Sequence, residues 1–327
     1  MITDQLKTIA FGLLFIAFSA CSSDDSITDE EEDDDEVTIS VESSNFLSGG
    51  LSESITIESR TLSDGTTADC YKIVVTGTPT DHEMGPWCPD NISDDASAGG
   101  IWLEDGNVYD VDGDFVKNLA TFYNDDTWML YNSTTGEITK TSTETECDEA
   151  ANPNVGEEYE NYCVECLPSY VEGLTHTYYI PVTPKKADTP YSFSTGLGGA
   201  STVPSSRGLA FNGVVFDAPA PVDNILGAYT LAPFDDAGGH INLAAGYHYH
   251  AATGISSTIE QSDGHAAMIG YAFDGYAIYA NTDADGNEAT DLDSSRGHYD
   301  ETRGYHYHVD NAGNNNFING LRGEYAL

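Results

Sequence analysis

Two segments of this chain are near copies, and their residue types leave little choice of backbone. The first reads Gly239-His240, five residues, then Gly246-Tyr247-His248-Tyr249-His250; the second reads Gly297-His298, five residues, then Gly304-Tyr305-His306-Tyr307-His308. The offset stays at 58 positions throughout (240 to 298, 248 to 306, 250 to 308). A match of that length between rare residue types marks an internal repeat. Alternating Tyr and His predicts a strand, because successive strand side chains take opposite faces. His248 and His250 then share one face and Tyr247 and Tyr249 the other, and the second copy behaves likewise.

Two imidazoles at i and i+2 on one strand face present neighbouring nitrogens, as a metal chelate needs. If the two strands are neighbours, four imidazoles converge, and His240 and His298 add a ligand each from the rim. The candidate metal ligands are therefore His240, His248, His250, His298, His306 and His308. Neutral imidazole suits zinc, copper, nickel or iron(II), with zinc or copper the leading choices. Protonated imidazole cannot ligate, so affinity is expected to drop below about pH 6. His265, between the copies, is a weaker candidate. His82 reads as a loop histidine and His176 as a structural one on a strand.

At these residues the chain resembles the YHYH protein family, named for the Tyr-His-Tyr-His motif. Gly238-Gly239-His240 fits its pattern, as does Ile269-Gly-Tyr-Ala-Phe-Asp-Gly-Tyr-Ala-Ile-Tyr279, which is similar to its Gly-x-x-x-Asp-Gly-Phe-Pro-Ile-Tyr signature. Leu292-Asp293 and the Asn-Gly-Val hairpin within Ala210–Asp217 fit as well. The resemblance spans about residues 160–325, with a weaker echo over 70–133. Ala277 replaces the usual Pro, and Ser294-Ser295 stand where the family often has Glu-Cys, which removes a possible disulfide. The family implies no established activity. Gly-Tyr-His-Tyr-His also resembles the Gly-Phe-His-x-His strand of copper–zinc superoxide dismutase, but the rest of that ligand order is absent.

The remaining chain reads as mainly β, an antiparallel sandwich or barrel-like domain with few short helices. Tyr71–Thr76, Thr127–Tyr131, Thr177–Val182, Gly208–Phe211, Val214–Phe216, Met268–Phe273 and Tyr276–Ala280 are the strand candidates. Asn212-Gly213 and Asp274-Gly275 are hairpin turn signals. Phe115, Leu119 and Phe122 have helical spacing.

At the N-terminus, Lys7 precedes the apolar run Ile9–Phe18 and then Ser19-Ala20-Cys21. The run is short for a membrane span, which needs about 20 residues, and reads as a signal peptide. It resembles a bacterial lipobox, with Cys21 as the acylated residue. Residues 22–36 are a dense acidic block that cannot bury a core. The expected organisation is 1–21 lipoprotein signal peptide, 22–37 acidic disordered tether, 38–141 N-terminal β region, 142–160 acidic loop or linker, and 161–327 YHYH-type β domain. The expected location is the cell envelope, with the outer membrane as partner through lipid on Cys21. The chain carries 55 acidic residues against 11 basic ones, a net charge of −44. That balance excludes nucleic acid as an electrostatic partner.

Cys70, Cys88, Cys147, Cys163 and Cys166 remain beyond Cys21. An exported chain can keep disulfides. Cys70–Cys88 is the favoured pair, and pairing among Cys147, Cys163 and Cys166 stays open. Asn281-Thr-Asp283-Ala-Asp285-Gly286 and Asp110, Asp112, Asp114 are incomplete calcium loops.

Function therefore narrows to a metal-binding lipoprotein domain, with two alternatives. One is a metalloenzyme, hydrolytic or copper redox, with Asp274 or Glu301 as acid or base. The other is a calcium-dependent adhesion or glycan-binding module.

Overall fold

Buried Ile73 and Val75, two residues apart and so on one strand face, give the first half of the chain its sheet. The computed structural model describes residues 36–150, 152, 154–193 and 205–327. The Cys21 lipobox and almost all of the acidic tether lie outside them. Strand β1 (Thr56–Thr61) pairs antiparallel with β2 (Thr67–Val75), which pairs antiparallel with β3 (His176–Pro181). Buried Ile73, Val75 and Ile180 project from this three-stranded sheet into a core with Val41, Phe46, Leu209, Phe211 and Tyr271.

The larger sheet has eight strands: β4 (Gly208–Ala210), β5 (Val215–Phe216), β6 (Gly239–Asn242), β7 (Gly246–Tyr249), β8 (Met268–Ala272), β9 (Ala277–Tyr279), β10 (Gly297–Asp300) and β11 (Gly304–His308). Their spatial order is β6-β7-β5-β4-β8-β9-β11-β10. The order is a palindrome. Hairpin β4–β5 corresponds to β8–β9, and hairpin β6–β7 to β10–β11. The halves meet where β4 and β8 run antiparallel, Leu209 opposite Tyr271, with Gly208 opposite Ala272 and Ala210 opposite Gly270. That register is what a two-fold axis through the Leu209–Tyr271 pair demands. In each half the histidine strand lies parallel to the preceding hairpin, Phe216 beside Tyr249 and Ile278 beside Tyr307. The repeat is thus larger than the histidine motif. It includes the turns Asn212-Gly213 and Asp274-Gly275, whose glycines have φ of +83° and +89°.

This order settles the conditional expectation about the histidine strands. β7 and β11 are not neighbours; β5, β4, β8 and β9 lie between them. Their four imidazoles therefore do not form one site. They do share a sheet face, His248 alongside Val215 and His308 alongside Tyr279, while the tyrosines pack with Phe216 and Ile278 on the opposite side.

The fold is mainly β, as expected, and among the described residues its sheets do not close into a barrel. Helix α1 (Gly113–Phe122) stands where the spacing predicts it. Asp112 caps it by accepting the Phe115 N–H at 2.7 Å, and Val116 and Leu119 are buried. Thr127–Tyr131 is not a strand. Asp125 captures the Thr127 N–H at 3.0 Å, Trp128 packs on Tyr123 at 4.6 Å, and Tyr131 alone makes an isolated bridge, to Ile138.

Residues Glu36–Leu327 form one compact unit. Segment 142–160 contains helix α2 (Glu144–Ala150), whose Cys147 is bonded to Cys166. Cys88 is bonded to Cys163, not to Cys70. The expected Cys70–Cys88 bridge fails because Cys70 is a buried free thiol on β2, on the strand face opposite Ile73 and Val75, while Cys88 packs in a separate core beside Cys163.

Candidate metal centre

The constant residues of the motif each have a steric or hydrogen-bonding reason. In β10–β11, His298 stands opposite His306, and in β6–β7 His240 stands opposite His248. The ring of the first motif tyrosine crosses over the glycine of Gly-His. A Cβ on Gly297 would sit 2.2 Å from the Tyr305 Oη, and one on Gly239 2.1 Å from the Tyr247 Oη. Those hydroxyls donate to Asp293 (2.9 Å) and Asp235 (2.8 Å), whose carboxylates also accept the backbone N–H of Gly297 and Gly239. Gly304 and Gly246 close the turns at φ of +64° and +72°. The result is a rigid platform that sets three imidazoles per copy.

In the second copy these imidazoles meet a fourth. One ligand atom from each of His265, His298, His306 and His308 lies within 4.8 Å of all the others. His306 Nε2 is 3.0 Å from His298 Nε2 and 3.1 Å from His265 Nε2. Every Nδ1 in the group faces an acceptor. His265 reaches the Ala266 carbonyl (3.1 Å), His298 the Asp291 carboxylate (2.7 Å), His306 the Gly304 carbonyl (2.9 Å) and His308 the Ala280 carbonyl (2.9 Å). An oxygen acceptor is satisfied only by N–H, so the proton of each neutral ring sits on Nδ1. Each Nε2 is then a bare lone pair. Lone pairs 3.0 Å apart cannot hydrogen-bond to one another, and the buried Nε2 of His308 has no hydrogen-bond partner. A cation among them removes the conflict. Tetrahedral zinc with Zn–N of about 2.0–2.1 Å places its ligand nitrogens roughly 3.3 Å apart.

Electrostatics favour the ligating state. Burial, with the neighbouring imidazoles adding to it, pushes His306 down to about 3 and His308 to about 4; burial lowers His265 as well. These rings are neutral near pH 7. The Nδ1 acceptors are the outer partners that orient metal-bound histidines.

The first copy keeps the platform and loses the convergence. His240, His248 and His250 also direct Nδ1 at carbonyls, those of Pro233, Gly246 and Ala218. The ring centroids of His240 and His248 are 6.2 Å apart, however, against 4.5 Å for His298 and His306. Phe234 packs against both His240 and His250, and Asn242 Nδ2 stands 3.5 Å from His248 Nε2. The hairpin offset of 62 positions (212 to 274) sets Val203 against His265; Val203 lies outside the described residues. The sequence offers no histidine there. Of the six candidates, the structure gathers His298, His306 and His308 with His265, and leaves His240, His248 and His250 at the other end of the sheet.

His265 is the ligand that motif counting underrates. The larger repeat identifies it, because it immediately precedes hairpin β8–β9, whose second strand adjoins β11. The other candidates lie elsewhere. His82 sits on the tyrosine face, between Asp81 (2.9 Å) and the Tyr247 hydroxyl (3.2 Å). Asp274 is fully buried, accepts the Tyr307 hydroxyl at 2.6 Å and is raised to about 6 by burial. Glu301 is exposed at a turn. Asp112 serves as a helix cap, and Asp283 accepts turn N–H groups from Asp285 and Asn287.

Comparison with known proteins agrees with the motif. Residues 177–291 match the family model described as YHYH protein. The match takes in both hairpins, the first motif copy and His265, and ends before His298. No curated protein and no solved structure matches the chain.

Proposed function

For a chain whose residues 177–291 carry a YHYH domain, we propose a metal-binding function, with one zinc or copper ion held by His265, His298, His306 and His308. One observation carries this reading: four Nε2 lone pairs converge while every Nδ1 is committed to an oxygen acceptor. Four neutral imidazoles complete a tetrahedral set. That favours binding, storage or a structural role over turnover, which needs an open coordination position. The acidic tether and the Ser19-Ala20-Cys21 sequence support the further reading that the protein is exported and held at the cell envelope by lipid on Cys21.

The test is direct. Purified protein is stripped with chelator, reconstituted near neutral pH with Zn²⁺ or Cu²⁺ and analysed for bound metal. One tightly held equivalent supports the reading, and none refutes it. Mass spectrometry of the N-terminal peptide from native membranes tests the anchor; an unmodified Cys21 would rule it out.

A further inference from the structure

We infer that Arg303 is the positioning residue that delivers the fourth imidazole, a step that rests on the four-histidine reading. One hairpin, β10–β11, fixes three of the ligands. His265 comes from the loop ahead of β8 and has to be held against that hairpin from outside. The Arg303 guanidinium spans the gap. Its Nη2 donates to the Asp263 carboxylate, two residues before His265, and its Nη1 donates to Asp300 Oδ2 at 2.6 Å on the hairpin.

Both anchors are themselves tied down. Asp263 Oδ1 accepts the backbone N–H of His265 at 3.2 Å. Asp300 Oδ1 accepts the N–H groups of Thr302 and Arg303 at 2.7 Å each, and its Oδ2 lies 3.9 Å from His306 Nε2. A continuous set of charge-assisted hydrogen bonds therefore links the hairpin that carries three ligands to the backbone of the fourth. The Arg303 side chain is 9 % exposed, so its bond to Asp300 is less screened than an ordinary surface pair, while its bond to Asp263 ends on a half-exposed carboxylate.

The first copy serves as an internal control. At the 58-residue offset, Ala245 stands for Arg303 and Asn242 for Asp300, and no histidine stands for His265. Guanidinium, carboxylate and fourth imidazole are missing together, and there the facing rings of His240 and His248 stand farther apart than those of His298 and His306.

The test uses the purified full-length protein. Arg303→Ala, Arg303→Lys, Asp263→Asn and His265→Ala are titrated with Zn²⁺ against a chromophoric chelator, and with Co²⁺ for the visible spectrum. Breaking an outer-sphere contact of this kind is expected to cost about 10–100-fold in affinity. Arg303→Ala should show that loss and a weaker cobalt band as water enters the tetrahedral set, and Arg303→Lys should recover part of both. Asp263→Asn removes the charge from the same contact at an exposed side chain, so its loss of affinity is not a folding failure. Combined with His265→Ala, Arg303→Ala should add less than about twofold, since both act through one ligand. Unchanged affinity and spectrum in Arg303→Ala would overturn the proposal and leave the four-histidine centre standing. An undiminished effect in the His265→Ala background would also overturn it, because Arg303 would then act on the fold. A wild-type protein that binds no metal would remove the centre itself.

Discussion

Replacing His298 with Ala separates the two copies of the motif, because His240 occupies the same position in the first copy. His298 is a gentle site to change. Its side chain is 16 % exposed, and its Asp291 partner is 72 % exposed, so the pair adds little to stability. In the metal-free protein the substitution also removes an Nε2 that stands 3.0 Å from the Nε2 of His306. The melting temperature of apo His298→Ala should therefore equal or exceed that of the apo wild type. Metal binding should respond in the opposite sense. Structural zinc sites supply about 10–16 kcal/mol, so one ligand of four carries about 2.5–4 kcal/mol, or roughly 10²–10³ in affinity. Competition titration with a zinc chelator reads that loss, and thermal unfolding of the apo proteins supplies the control. His240→Ala should bind within about twofold of wild type, as expected of a distant independent site. Equal losses in the two variants, or wild-type affinity in His298→Ala, would refute the reasoning.

Four other outcomes follow from the same structure. With His306 held near 3 and His308 near 4 in the apo fold, protons compete for these two ligands later than for free imidazole, and their protonation should not weaken zinc binding until the pH falls through about 4 toward 3. For the same reason the unfolded chain takes up these protons first, so the stability of the apo fold should fall progressively as the pH drops from about 6.5 toward the folded values of 4 and 3, visible as acid unfolding by circular dichroism. Gly297→Ala and Gly239→Ala drive a Cβ into a tyrosine ring and should each lower stability by about 1–3 kcal/mol in urea denaturation, whereas Gly227→Ala, which meets nothing within 4 Å, should stay near wild type. Alkylation and peptide mapping of residues 36–327 should find Cys88–Cys163, Cys147–Cys166 and one thiol at Cys70 that reacts only after denaturation.

Much of this was legible in the sequence, and the limits have physical causes. Period-two alternation placed His306 and His308 on one face and Tyr305 and Tyr307 on the other, since strand geometry allows nothing else. Helix α1 was legible from the spacing of Phe115, Leu119 and Phe122, whereas Asp112, read as part of a calcium loop, turned out to be its cap. Strand order was not, because a motif fixes the face a residue takes and says nothing of which strand lies beside it. The parallel pairing of β11 with β9 decided which imidazoles meet, and it follows from the two-fold arrangement of hairpins that differ in sequence at most positions. His265 was underrated for the same reason: a loop ligand has no periodicity to announce it. Cys70 misled because spacing along the chain cannot tell which sheet face a thiol takes. Thr127–Tyr131 has strand composition, yet an Asp125 turn and the seat of Trp128 overrode it.

The measurement that bears most directly on the central claim is X-ray absorption at the metal edge of the reconstituted protein, read with metal content per chain. One zinc or copper per chain with four imidazole nitrogens, at about 2.0–2.1 Å for zinc, is the expected result, and it should vanish in His306→Ala but survive in His248→Ala. A shell of oxygen or sulfur, or a signal lost equally in both variants, would contradict the account.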